Sequence, residues 1–160
     1  MKRFALAAFA LSLVLAAATP AAAHCQIPCG IYDDGLRVQL IEEDITTIEK
    51  SMTQIIALAK ASPVDYNQLV RWIDNKEEHA QKIQNIVTAY FMAQRIKVPA
   101  NHNDSAANNA YLHKLALLHA IQVHAMKAKQ STDLGEVETL RKLVEQFRTV
   151  YFGEDGKHAH

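Results

Sequence analysis

The residues with the clearest chemical potential are two cysteines and the histidine directly before the first of them. Cys25 and Cys29 are the only cysteines of the chain, and His24 precedes Cys25. Thiolate and imidazole groups bind soft and borderline transition metals. In an exported protein the two thiols could instead form a disulfide. A bridge over so short a loop would constrain little of the unfolded chain, which favours another explanation for the pair.

The residues before His24 have the pattern of a secretory signal peptide. Two basic residues lie near the start, an apolar run covers positions 4–18, and small residues stand directly before His24. The apolar run is shorter than the roughly 20 residues that a membrane-spanning helix needs. We therefore expect signal peptidase to remove residues 1–23. His24 would then be the first residue of an exported protein, periplasmic or extracellular, with no further membrane association.

A free amino terminus at His24 would create a chelating site. The α-amine of His24 and the amide nitrogen of Cys25 can close a five-membered ring around a metal, and the Cys25 thiolate closes a second ring. Cys29 can supply a fourth donor, because Pro28 fixes one backbone angle and Gly30 permits a tight turn. A square of two nitrogens and two sulfurs suits nickel(II) or copper(II) better than tetrahedral zinc. The His24 imidazole can add an axial ligand, which suits one-electron redox chemistry.

The rest of the chain has the periodicity of helices. From Asp33 onward, apolar residues recur at spacings of three and four, which is typical of the buried face of a bundle helix. The segments are separated by short polar breaks, and they predict an all-α fold, an antiparallel up-and-down four-helix bundle with an N-terminal metal-binding hook. The first helix is expected to start at Asp33 or Asp34, and the second at Ser62 as N-cap with Pro63 as its first residue. The second should end near Lys97, the third should span 105–130, and the fourth should follow a cap at 131–133 and stop at Gly153.

Each predicted helix has one apolar face, and these faces are expected to meet in a common core. The inward residues of the first two helices would be Val38, Ile41, Ile45, Ile48, Met52, Ile55 and Ala59, then Tyr66, Leu69, Ile73, Ala80, Ile83, Val87 and Tyr90. Those of the last two would be Tyr111, Leu115, Leu118, Ile121 and Ala125, then Val137, Leu140, Leu143, Val144, Phe147 and Tyr151.

Size and charge are those of one ordinary domain. Removal of residues 1–23 leaves 137 residues, of which 24–32 form the hook, 33–153 the bundle and 154–160 a flexible tail. The mature chain carries 15 basic and 17 acidic side chains. This balance gives no indication of nucleic-acid binding.

The hook sequence resembles a known metal site. The pattern His24-Cys25-x-x-Pro28-Cys29-Gly30-x-Tyr32 is similar to the nickel hook of the nickel-containing superoxide dismutases, and the helical pattern that follows is similar to that family's subunit. The resemblance implies one nickel ion per subunit, bound by the amine and imidazole of His24, the amide and thiolate of Cys25, and the thiolate of Cys29. It also implies a homohexamer. The reaction would convert superoxide to dioxygen and hydrogen peroxide through a Ni(II)/Ni(III) cycle.

The same resemblance assigns catalytic roles to two tyrosines. Tyr32 would hold an anion or water beside the metal, and Tyr90 resembles a second tyrosine near the hook. Packing is the alternative for both, because tyrosines are common where a bundle meets water. The family also supports its axial histidine with a Glu and an Arg from the helices. The candidates here are Glu42 or Glu43, and Arg71 or Lys76, while Gln26 stands where many members carry Asp.

Two other functions fit the same residues. A periplasmic carrier would bind nickel or copper through the N-terminal donors without rapid turnover. A structural helix bundle with a Cys25–Cys29 disulfide would need no metal and would tolerate an extra residue before His24. A second metal site is not expected, because His113, His119 and His124 lack the i, i+4 spacing of a helical ligand pair.

Overall fold

The computed structural model describes residues 28, 30–101 and 103–153, in two compact units. The first unit is Met1–Ile31, in which Gly30 adopts a left-handed φ of 79°, a conformation that glycine reaches without steric cost. The predicted metal ligands, the signal peptide and the tail lie outside the described residues. The second unit starts at Tyr32.

The described part of this unit is all-helical. Its four α-helices are α1 (Asp34–Ala59), α2 (Tyr66–Asn85), α3 (Ser105–Gln130) and α4 (Leu134–Phe152). A π-helix, Ile86–Arg95, continues α2 without a break. The predicted all-α fold is confirmed, and the described helices contain no segment long and apolar enough to cross a membrane.

Neighbouring helices run antiparallel, as predicted. Asp44 of α1 contacts His79 of α2, whereas the later Ser51 contacts the earlier Asn75. The same inverse order holds for α2 and α3, through the contacts Lys76–Ala128 and Gln84–Gln122. It holds for α3 and α4, through Lys114–Tyr151 and His124–Glu136. It also holds for α1 and α4, through Asp34–Tyr151 and Glu49–Arg141.

An aspartate caps the start of every α-helix. Asp33, Asp104 and Asp133 each accept a backbone N–H of the first turn. The caps of α1 and α4 fall where the sequence predicts them. The prediction for α2 was wrong. This helix begins at Tyr66, because Asp65 rather than Ser62 supplies the cap, accepting the Gln68 N–H at 3.1 Å. The Ser62-Pro63 peptide bond is cis and lies outside the helix.

The core lies where the four apolar faces meet. The predicted face of α1 is buried from Val38 to Ile55, and only Ala59 at its end is exposed. On α2 the prediction fails near the start, because Tyr66 is 72% and Ile73 is 38% exposed. On this face of α2 the predicted residues become fully buried only from Ala80 onward. The fully buried side chains further along include Ile83, Val87, Phe91, Leu118, Ile121, Leu140 and Phe147.

Two isoleucines of α2 test this burial pattern. Ile83→Ala should lower the free energy of unfolding by about 2–5 kcal/mol, because it opens a cavity in a fully buried site. Ile73→Ala, the same substitution on the same helix, should cost under about 1 kcal/mol, because Ile73 already contacts solvent. Urea unfolding at one fixed protein concentration measures both. Equal losses would contradict the placement of Ile73.

Candidate functional site

A buried carboxylate organises the end of the bundle where α1 begins. The Asp34 side chain is 5% exposed. The Tyr90 hydroxyl donates to Asp34 Oδ1 at 2.5 Å, and the Tyr151 hydroxyl donates to Oδ2 at 2.8 Å. Arg95 donates from Nε to both oxygens at 2.8 and 3.0 Å, and from Nη2 to Oδ2 at 2.7 Å. Asp34 therefore joins α1 to the π-helix and to the end of α4.

The π-helix is what places Tyr90 and Arg95 on the same carboxylate. In an α-helix of about 3.6 residues per turn, side chains five positions apart point roughly 140° apart. In a π-helix, whose hydrogen bonds join residues five apart, they lie almost one above the other. The Ile96 N–H accordingly donates to the Phe91 carbonyl at 2.9 Å.

Tyr32 packs against this cluster from the N-terminal side. The Arg95 guanidinium lies 4.4 Å from the centre of the Tyr32 ring, a cation–π distance. The Tyr32 and Tyr90 rings meet edge to face, with centroids 5.9 Å apart. Tyr32 is 39% exposed, and its hydroxyl donates to Gln94 Oε1 at 3.5 Å. The Tyr32 hydroxyl therefore remains close to solvent, whereas that of Tyr90 is buried.

The hydrogen bonds fix the protonation of the cluster. Burial raises the pKa of Asp34, but the bonds from Arg95, Tyr90 and Tyr151 outweigh it, and the net pKa lies below the ordinary value of 3.8. Burial, together with the bond to Asp34, raises the pKa of Tyr90 strongly and that of Tyr151 to about 12. At neutral pH an ionised Asp34 thus faces two protonated phenols.

The other residues proposed from the sequence do not gather here. Glu42 and Glu43 lie on α1, and Arg71 is exposed on α2. Lys76 is buried on α2, and its Nζ donates to carbonyl oxygens at the end of α3, including that of Ala128 at 2.8 Å. This contact satisfies helix-terminal acceptors and complements the helix dipole, so Lys76 has a structural role.

Two of the remaining histidines are paired with carboxylates. His79 Nδ1 lies 2.6 Å from Asp44 Oδ1, and His124 Nδ1 lies 2.5 Å from Glu136 Oε2. Both pairs link adjacent helices. Within residues 28, 30–101 and 103–153, no group of three or more His, Cys, Asp or Glu side chains could hold a metal ion.

The sequence singles out Tyr32 and Tyr90, and the structure adds Asp34, Arg95 and Tyr151 as their neighbours. Asp34 was considered only as a possible helix cap, and Tyr151 only as a core residue. Arg95 carried no signal, because five residues from Tyr90 it would point elsewhere on an α-helix. The spacing becomes informative only when the π-helix is known.

Asp34→Asn should destabilise the protein by about 3 kcal/mol at pH 7, because it removes the charge that pairs with Arg95. The folded pKa of Asp34 is lowered, so its ionised form stabilises the fold above the ordinary pKa. That contribution is lost progressively below about pH 5, as the pH falls toward the folded pKa. The gap between wild type and variant should shrink over this range in urea unfolding.

Asp33→Asn is the matched control for this experiment. Asp33 is exposed and caps α1, and asparagine caps helices about as well as aspartate, so a loss under about 0.5 kcal/mol is expected. Similar losses for both variants, or a gap for Asp34→Asn that stays constant from pH 7 to pH 3, would show that the buried ion pair is not the source of stability.

Comparison with known proteins gives one family. The family model of the nickel-containing superoxide dismutases matches residues 19–155 of this sequence. This range includes the hook residues, Tyr32 and the four α-helices of the described bundle. No curated protein and no solved structure matches the chain significantly. The chain therefore belongs to the nickel-containing superoxide dismutase family.

Proposed function

We propose that this superoxide dismutase binds its nickel ion through His24, Cys25 and Cys29. These residues include both thiols of the chain, and the family that matches it is nickel-containing. Two thiolates with nitrogen donors at adjacent positions fit nickel(II), for the chelate reasons given above. The observation that carries the proposal is the position of Tyr32, which follows Cys29 by three residues and packs on the Asp34 cluster.

Covalent geometry limits the distance between Cys29 and Tyr32. An extended chain spans at most about 3.3–3.6 Å per residue, so three residues hold the Cα of Cys29 within about 11 Å of that of Tyr32. Tyr32 in turn is held by Arg95 and by the Tyr90 ring.

The reaction consumes two superoxide anions and two protons and yields one dioxygen and one hydrogen peroxide. Bound nickel would supply the one-electron redox chemistry, changing between the +2 and +3 states. The half-exposed Tyr32 hydroxyl can hold an anion or a water molecule. Tyr90 directs its proton at Asp34, so we assign it the role of positioning Tyr32 and the cluster.

Export and assembly form part of the same proposal. Removal of residues 1–23 by signal peptidase would free the His24 amine and place the enzyme in the periplasm or outside the cell. A homohexamer would shield the thiolates, which are prone to oxidation when exposed. A fully active monomer would contradict this role of assembly.

The decisive test changes only the amino terminus. The mature protein starting at His24, loaded with nickel, should consume superoxide rapidly, whereas a version with one extra alanine before His24 should lose about 100-fold or more, because a ligand is displaced. A third version with an extra alanine after His160 controls for the added residue. Superoxide decay and nickel content are both measured.

Other outcomes of that test identify the competing functions. Nickel or copper bound without rapid turnover in the native version would indicate a metal carrier. No bound metal and a Cys25–Cys29 disulfide would indicate a structural bundle. Equal activity of the native and extended versions would show that the His24 amine is not a ligand.

The two tyrosines should respond differently to loss of the hydroxyl. Tyr90→Phe removes a bond to a buried carboxylate and should cost about 1.5–3 kcal/mol of stability. Tyr32→Phe should leave stability within about 0.5 kcal/mol but lower kcat/KM about tenfold, the effect of one transition-state hydrogen bond. Urea unfolding and superoxide decay distinguish the two, and the reverse pattern would refute the assigned roles.

A further inference from the structure

A cleft lies where the chain leaves the π-helix and meets the first half of α3. Its volume is about 360 Å³, within the lower part of the range of small-molecule sites. It is lined by residues 95–99, by Tyr151 of α4, and by four residues of α3, namely Ala107, Ala110, Tyr111 and Lys114. All of them belong to the second unit. The cleft therefore has room for a small molecule.

The charged side chains of this cleft are all basic. They are Arg95, Lys97 and Lys114, and no described Asp or Glu lines the cleft. Asp34 neutralises Arg95, but none of the ion pairs among the described residues includes Lys97 or Lys114. Two positive charges thus remain without a carboxylate partner, which favours an anionic ligand.

Lys114 is the better placed of the two lysines. Its Nζ lies 5.6 Å from the centre of the Tyr151 ring, a cation–π distance, and the residue is half-buried. Lys97 is exposed. An ammonium group that already rests on a ring loses less side-chain freedom on binding a carboxylate than one in open water. Lys114 should therefore contribute more to anion binding than Lys97.

The rest of the lining is apolar or aromatic. Val98 is 63% exposed, and Ile96 and Pro99 line the cleft beside it. Tyr111 is half-buried, and none of the aromatic contacts between described residues includes its ring. A planar ring that packs on Val98 and Tyr111 would remove apolar surface from water. A ligand that joins such a ring to a carboxylate matches both parts of the lining.

We propose that this cleft binds a small aromatic carboxylate, with the carboxylate at Lys114 and the ring against Val98 and Tyr111. The site is separate from the hook and needs neither the metal nor turnover. Arg95 and Tyr151 line the cleft and also donate hydrogen bonds to Asp34. A bound ligand would therefore stabilise the end of the bundle that Asp34 organises.

The test uses benzoate and the mature nickel-loaded protein. Benzoate should shift the backbone amide NMR resonances of Ile96 and Val98 saturably, with a Kd of about 1 mM. The resonance of Asn67, at the start of α2, should not move. Benzamide has the same ring without the charge and should bind at least about 5-fold more weakly. No saturable shift, or equal binding of benzamide, would overturn the proposal.

Two pairs of variants locate the ligand. Lys114→Gln should weaken benzoate binding about 3- to 10-fold, whereas Lys142→Gln, an equal charge change at an exposed position of α4, should stay within about 2-fold. Ala110→Leu fills the cleft and should weaken binding at least about 10-fold. Ala116→Leu, at an exposed position of the same helix outside the cleft, is its control. Circular dichroism checks that the variants are folded, and equal effects within either pair would contradict the placement.

Superoxide decay measured on the same samples separates this site from the proposed metal centre. Benzoate binding in a protein that consumes no superoxide would support the cleft and contradict the proposed hook. Rapid turnover without benzoate binding would support the hook and overturn the cleft.

Discussion

The carboxylate of Asp34 is the constraint on which this end of the bundle depends. A charged group with 5% exposure is stable only if donors converge on it, and the donors here come from the π-helix and from α4. The start of α1 and the ends of the π-helix and α4 must therefore lie at the same level. The aromatic contacts follow from this alignment, because Phe91 meets Tyr90 and Phe147 edge to face and Phe147 stacks on Tyr151.

The π-helix is a consequence of the same constraint. An α-helical segment would present Tyr90 or Arg95 to Asp34, but not both. The wider π-helical turn lets both Tyr90 and Arg95 donate hydrogen bonds to the Asp34 carboxylate. It also places the Arg95 guanidinium over the Tyr32 ring. The ten-residue π segment is long for a form that is usually a single-turn bulge, and such segments are common at functional sites. The local irregularity and the position of Tyr32 thus have one cause.

The features predicted well from the sequence are those set by interactions between residues close in the chain, such as helix caps and helix breaks. Helix α3 spans the predicted 105–130 because Asp104 caps it and the sequence itself supplies the break that follows. The α2 start was misplaced because Ser62 and Asp65 are both competent caps. Periodicity also could not show that Ile73 is 38% exposed. Asp34 and Arg95 acquire their partners only through contacts between helices, which spacing along one helix does not reveal.

Charge is balanced inside the cluster. The Asp34 carboxylate neutralises Arg95 and accepts the Tyr90 and Tyr151 hydroxyls, so both phenols stay protonated. Tyr32 meets the cluster through its ring, which contacts the Arg95 guanidinium and the Tyr90 ring. The buried carboxylate therefore fixes the position of the Tyr32 ring indirectly, while the Tyr32 hydroxyl takes no part in the bonds to Asp34 and stays near solvent.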